Sequence, residues 1–238
     1  MVTTMIGRGL YAPKQVACLA NLKLETSFSA EHFRRWARGY ESAGRSYAPV
    51  IIPEIEDDRD RITFVEFIEL LFVASYRSLG ISPQVIRAAA HEGARLFETK
   101  HPFAVTRFRT DGKSIFAELE RVGAARLGIP EELLVEDLPR AQMVFAEMVE
   151  PYFRDIDWGE LEAQAYWPCG RDGRIVLDPR RCYGQPIDAA TGVATDALYS
   201  FVASGDAPET VAEWYEVPVA AVNAAVQFER ALRESCGS

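Results

Sequence analysis

Cysteine is scarce in this chain. Cys18, Cys169, Cys182 and Cys236 are scattered through 238 residues without a C-x-x-C pair. Neither a disulfide framework nor a zinc site is expected, and the thiols are read as reduced in a cytoplasmic protein. Histidine is scarcer still: His32, His91 and His101 stand apart, and His91-Glu92 opens no H-E-x-x-H because Arg95 occupies the last position. No G-x-S-x-G, G-x-G-x-x-G or G-x-x-x-x-G-K-[ST] occurs. The acidic run Glu54, Glu56, Asp57, Asp58 and Asp60 lacks the spacing and glycine of a calcium loop and reads as a solvated loop. These absences leave no catalytic constellation, so no enzyme, no metal and no cofactor is expected. There is no bilayer-length apolar run, no fixed-period repeat and no low-complexity tract. The start, MVTTMIGRGLYAPKQ, lacks the apolar core of a signal peptide.

What the chain does have is charge, unevenly spread. The net charge of -9 argues against a generic nucleic-acid coat. Residues 1–45 nevertheless carry seven basic and three acidic side chains, while residues 111–238 carry eleven basic and twenty-three acidic ones. The first end could meet phosphates. The second would be repelled by them and suits a protein partner.

Periodicity points to helices. Pro13 opens a helix carrying Val16, Leu19, Ala20 and Leu22. Ser29 is the candidate N-cap of a second, with Phe33, Trp36 and Ala37 on one face and His32, Arg34, Arg35 and Arg38 largely off it. Such a pair, basic outside and aromatic inside, has the pattern of a helix-turn-helix. SYAPVIIPEIEDDRDR follows as an extended piece and loop. ITFVEFIELLFVASYRSLG is a strongly apolar helix stopped by Gly80, and Ser82-Pro83 opens the next. In FAVTRFRTDGKSIFAEL the TDGK tetrapeptide reads as a β-hairpin, LLVEDL as a short strand and RAQMVFAEMVEPYF as a helix up to Pro151. Two strand-like pieces flank Gly170-Arg171-Asp172-Gly173, and three helices close the chain, the first capped by Thr195 or Asp196. The last three form a helix-turn-helix core of the homeodomain type. The expected class is mainly α with a small β component, as two helix-turn-helix-like modules joined by a β-containing linker.

The basic helix is the one site-like feature with a mechanism. Arginine and lysine neutralise phosphates, and arginine also reads guanine edges. The candidate DNA-binding set is His32, Arg34, Arg35 and Arg38, with Lys14, and with Arg107 and Lys113 on the TDGK hairpin acting as a wing. Such readers commonly pair, so a homodimer is expected. The final helix is bland where a reader would carry arginines: it opens PVAAVNAAVQF. Val219, Ala220, Ala221, Asn223, Ala224 and Gln227 offer a small-residue surface that a partner helix could approach, or that packs internally.

The C-terminal stretch resembles a small bacterial domain long catalogued as of unknown function. Val176, Asp178 and Pro179, then Gly184 and Pro186, then Thr191, Gly192 and Val193, then Val211, Trp214 and Tyr215, then Val222 and Phe228 fit its pattern. Tyr183 replaces its first glycine, and Pro218-Val219 its usual polar helix start. The front half resembles the winged-helix head of MerR-like regulators. Together they resemble a long VapB-type antitoxin: 1–105 a MerR-like winged-helix module, 106–172 a β-containing linker and wing, 173–238 the antitoxin module. The resemblance implies an antitoxin of a type II toxin–antitoxin pair that neutralises a PIN-domain ribonuclease and represses its own operon. The alternative is a stand-alone dimeric transcription regulator whose C-terminal module dimerises or senses a ligand. A toxin of that type holds Mg²⁺ with carboxylates, which an inserted arginine would block. Arg230 and Arg233 near a free chain end, with Asn223 and Gln227, are the candidate toxin-binding residues. Arg180 and Arg181 are the alternatives.

Overall fold

A computed structural model describes residues 7–55, 58–145 and 154–236. Helix α1 (Pro13–Leu24) starts at its proline and buries Val16, Ala17, Leu19 and Ala20; α2 (Ala30–Arg38) starts after Ser29 and buries Phe33, Trp36 and Ala37. The turn between them is held by a buried asparagine. Asn21 Oδ1 accepts from the Phe28 amide at 3.0 Å and the Thr26 hydroxyl at 2.9 Å, while its Nδ2 donates to the Phe28 carbonyl at 2.9 Å. Asn21→Ala is expected to cost about 1–3 kcal/mol, because it strands a part-buried amide and carbonyl. Urea unfolding checks this, and an unchanged midpoint would show that the turn holds without it.

Strands β2 (Tyr40–Ser42) and β3 (Arg45–Tyr47) follow α2 as an antiparallel hairpin. The turn is Ala43-Gly44, both at positive φ, as a tight two-residue hairpin requires. Gly39 sets the angle between α2 and the hairpin: it sits at φ +68°, and a Cβ there would lie 2.4 Å from the Tyr47 carbonyl oxygen. A short β1 (Leu10–Tyr11) pairs with β4 (Ile62–Thr63), which caps α3 (Phe64–Ser78), the apolar central helix. Helix α4 (Pro83–Phe97) is capped by Ser82, and its Arg87 donates to the Ala48 and Pro49 carbonyls at 2.7 Å each, fixing the base of the hairpin.

The TDGK segment is not a hairpin. It lies inside α5 (Thr106–Val122), an uninterrupted helix. Gly112 is there for close packing: a Cβ would stand 2.3 Å from the Phe145 ring. LLVEDL is likewise helical, within α7 (Glu131–Val144), which follows the short α6 (Ala124–Leu127). Part of the helix expected up to Pro151, residues 146–151, lies outside the described residues. Phe108, Ile115, Phe116, Leu119, Leu138 and Phe145 join the same core as α1–α4, so burial overrides local turn propensity here.

Strands β5 (Ile156–Trp158), β6 (Ala163–Tyr166), β7 (Ile175–Leu177) and β8 (Pro186–Asp188) form a four-stranded antiparallel meander; β6 and β7 are the two pieces flanking Gly170–Gly173. Helices α8 (Thr195–Ala203), α9 (Pro208–Trp214) and α10 (Val219–Cys236) close the chain around a smaller core of Leu198, Val211, Val222 and Val226. Thr195 is not a cap. It is buried and donates its hydroxyl to Glu229 at 2.6 Å. The architecture is mainly α with a small β component.

The reading of all four thiols as reduced is corrected. Helix α10 packs on α1, and Cys18 and Cys236 form a disulfide, with Cα atoms 4.7 Å apart and a sequence separation of 218. A pair that distant leaves no local motif. Cys169 and Cys182 stay exposed and unpaired. Among the described residues no helix is long and apolar enough to cross a membrane.

Candidate functional site

The structure places helix, turn, helix and hairpin in sequence, and it sorts the expected DNA-binding residues into different roles. His32 belongs to the start of α2: its Nδ1 accepts from the Ser29 amide at 3.1 Å and contacts the Ser29 hydroxyl at 2.8 Å, and its ring packs on Phe28 and Trp36. Arg34 and Arg35 face outward. Both pair with Glu31, at 2.5 Å and 2.9 Å, and Arg34 also reaches Asp60 at 3.2 Å. The hydrogen bonds from Arg35 and then Arg34 hold the Glu31 carboxyl below the usual carboxylate range. Arg35 lies over the Tyr40 ring, 4.8 Å from its centroid, which joins α2 to the hairpin.

Arg38 is not a reader. Its side chain is 3% exposed and forks onto Glu66 at 2.8 and 2.9 Å, with further bonds to the carbonyls of Asp58 and Arg61. It bolts α2 to α3. Periodicity could not show this, because its partner is 28 residues away. Arg107 and Lys113 are on α5, not on a wing; Arg107 stacks on Phe97 and contacts Asp111. The hairpin at the end of α2 is β2–β3, which presents an exposed Arg45 with no ion pair among the described residues. Sequence reading missed it because its strands are three residues each and charged, and Ala43-Gly44 is a weak turn signal. The flanking Tyr40 and Tyr47, whose rings stack at 4.6 Å, were the available clue. Lys14 is exposed at a cavity of about 340 Å³ between α1 and the C-terminal helices, lined also by Gln15, Gln185, Asp196 and Glu229.

On α10, Asn223, Gln227 and Arg230 are exposed, and their spacing puts them on one stripe. Arg233 leans back over the Tyr199 ring, 4.6 Å from its centroid, and lies 3.8 Å from Glu229. The chain end is not free, because Cys236 is bonded to Cys18 and the Ser235 hydroxyl donates to the Cys18 carbonyl at 2.9 Å. The small-residue surface is split: Ala221 is buried and Ala224 packs on the main core, while Ala220 and Asn223 face out. That is why the helix is bland, since Ala221, Val222, Ala225 and Val226 are core. Arg180 and Arg181 are engaged, by Asp178 at 2.9 Å and by the Ala189 carbonyl at 3.1 Å.

His101 Nδ1 lies 3.0 Å from the fully buried Glu69. Burial opposes charge on His101, but Glu69 outweighs it and the net shift is upward. This is a core pair. Of the acidic run, Glu56 and Asp57 lie outside the described residues, and among the described residues no group of three His, Cys, Asp or Glu side chains could hold a metal ion.

An asparagine-held turn between α1 and α2, an outward cationic face on α2 and the β2–β3 hairpin at its end make up the front of the chain, and a three-helix unit closes it. Residues 175–228, from β7 into α10, match the family described as "Protein of unknown function (DUF433)". The chain is 31% identical to "Putative antitoxin VapB45" of Mycobacterium tuberculosis over 198 residues, 76% of this chain and 80% of that one, and it belongs to that protein's family. It is also 25% identical to "Uncharacterized protein Rv2308" of the same organism over 98% of this chain and 94% of that one. The crystal structure of RV2018 from M. tuberculosis superposes with a TM-score of 0.65 at 26% identity, covering 91% of this chain and 96% of that chain.

Proposed function

We propose that the protein is the antitoxin of a toxin–antitoxin pair, binding a PIN-domain ribonuclease directly through its C-terminal half and its operator DNA through α2 and the β2–β3 hairpin. The observation that carries the reading is the family relation to "Putative antitoxin VapB45" over three quarters of the chain. The charge split supports the division of labour, because the acidic end repels phosphate while the first 45 residues are net cationic. The MerR-like character of the front half and a homodimer spanning two half-sites belong to the same reading. The exposed stripe Asn223, Gln227 and Arg230, edged by Arg233, is the candidate toxin contact. Co-expression with the product of the adjacent reading frame tests it: a stoichiometric complex lacking ribonuclease activity is expected, and separate elution with full activity would refute it.

The DNA half has its own test. Glu31 holds Arg34 and Arg35, so phosphate has to displace it; exposed pairs of this kind are worth only about 0–1 kcal/mol, so the exchange is cheap. Arg34→Ala with Arg35→Ala is expected to weaken operator binding and flatten the slope of log K against log salt by about two phosphates. Glu31→Gln is expected to tighten binding. Filter binding across a salt series reads both, and an unchanged slope in the double variant would move the interface off α2.

A further inference from the structure

Between Arg181 and Arg230 the chain contains no lysine or arginine, but it contains seven acids. Two are consumed internally. Asp188 is buried against Arg174 at 2.7 Å and bonds Thr191, and Glu229 takes the Thr195 hydroxyl. The other five, Asp196, Asp206, Glu209, Glu213 and Glu216, have no ion-pair partner among the described residues. Four of these five fall in α9 or its flanking turns.

Amid them stands an aromatic group that the fold does not cover. Trp214 is 57% exposed and Phe201 38% exposed, with ring centroids 5.7 Å apart edge to face, and Phe201 meets Tyr215 at 5.9 Å. The inward positions of the same helix, Val211 and Ala212, are fully used in the small core. Trp214 therefore adds little to folding. An exposed tryptophan with a tyrosine and a phenylalanine beside it has the composition of an interface centre, with charged residues at the rim.

The charge selects the occupant. Phosphate backbone is repelled by the four carboxylates in and beside α9, Asp206, Glu209, Glu213 and Glu216. A second copy docking through the same face would set those carboxylates against themselves, since a two-fold interface pairs a patch with itself. A cationic protein surface with an apolar spot at its centre is what fits. We infer that the Phe201–Trp214–Tyr215 surface, rimmed by Glu209, Glu213 and Glu216, docks on the cationic RNA-binding face of the ribonuclease partner and so competes with RNA for it. The inference rests on the antitoxin reading and adds a second contact, at α9, to the α10 stripe proposed for the partner.

The test uses the full chain and the purified ribonuclease encoded beside it. Affinity is measured by calorimetry at low and high salt, in EDTA to prevent cleavage, with and without single-stranded poly(U). Trp214→Ala is expected to weaken binding about 30-fold or more, the loss of an interface anchor. Glu209→Lys with Glu213→Lys is expected to weaken it about tenfold or more and to flatten its salt dependence. Glu131→Lys with Glu132→Lys, the same charge change on exposed α7, is the control and is expected to leave affinity nearly unchanged. Poly(U) is expected to compete with the wild-type chain. Thermal unfolding of each variant confirms the fold, and the charge reversal stands as the test should Trp214→Ala unfold. Wild-type affinity in folded variants of both kinds would place the contact elsewhere. Loss of affinity without salt or poly(U) dependence would mean the face is used but not against an RNA-binding surface, and would overturn the occupant. A wild-type chain that does not bind the ribonuclease at all refutes the antitoxin reading itself.

Discussion

Glu66→Gln is expected to destabilise the protein by about 3–5 kcal/mol, because it leaves the Arg38 guanidinium buried without its counter-charge. Glu66 is fully buried and its two oxygens take four donors: Arg38 twice, at 2.8 and 2.9 Å, the Glu54 amide at 2.8 Å and the Thr63 amide at 2.9 Å. The glutamine amide would turn one acceptor into a donor facing donors. The carboxylate also completes the capping box of α3, so one side chain joins the end of α2, the Glu54 backbone and the start of the central helix. The DNA binding proposed for α2 should fall with stability, since α2 loses its anchor to α3. A variant carrying both Arg38→Met and Glu66→Leu removes both charges and is expected to recover part of the stability, the rest being lost because the Glu54 and Thr63 amides no longer have their acceptor. Guanidinium unfolding of the three proteins measures this. A Glu66→Gln midpoint equal to wild type would show that the pair does not anchor α2.

Oxidised protein is expected to be about 5 kcal/mol more stable than reduced protein, the chain-entropy value for a loop of 218 residues. Cys18→Ser and Cys236→Ser should each unfold at the reduced midpoint, with or without dithiothreitol. Cys169→Ser and Cys182→Ser, at the two exposed thiols, should leave the redox difference intact. Reduction should not unfold the native state outright, because α10 also holds α1 through packing of Phe228 and Leu232 and through Ser235. Equal midpoints for oxidised and reduced wild type would mean that the α1–α10 contact is already fixed by packing alone. The same contacts argue against a detachable tail: deleting residues 229 to 236 removes Glu229 and Leu232 along with Cys236, and a truncated protein should lose the three-helix unit rather than keep it folded.

The helices that pack by their own periodicity were legible. Pro13, Ser29, Ser82-Pro83 and the apolar run from Phe64 mark α1 to α4 correctly. Features set by distant partners were not. Gly112 looks like a turn residue until Phe145 is seen against it. Arg38 looks like a fourth outward arginine until Glu66 is placed. Cys18 and Cys236 carry no mutual signal at the two ends of the chain. The hairpin was hidden because its strands are short, polar and exposed, held by Arg87 from another helix rather than by an apolar face of its own. Of the candidate site, α2 was legible and its wing was not. Trp214 was legible only as part of a family pattern, since helical spacing alone does not separate a covered face from an uncovered one.

Growth of cells carrying the partner reports the interaction most directly. The product of the adjacent reading frame is expressed alone, then with this chain, then with the Trp214→Ala, Glu209→Lys, Glu213→Lys variant. Arrest alone, full recovery with the wild-type chain and incomplete recovery with the variant are expected. A neighbour that is harmless alone, or an arrest that the wild-type chain does not relieve, would contradict the assignment of this protein as an antitoxin.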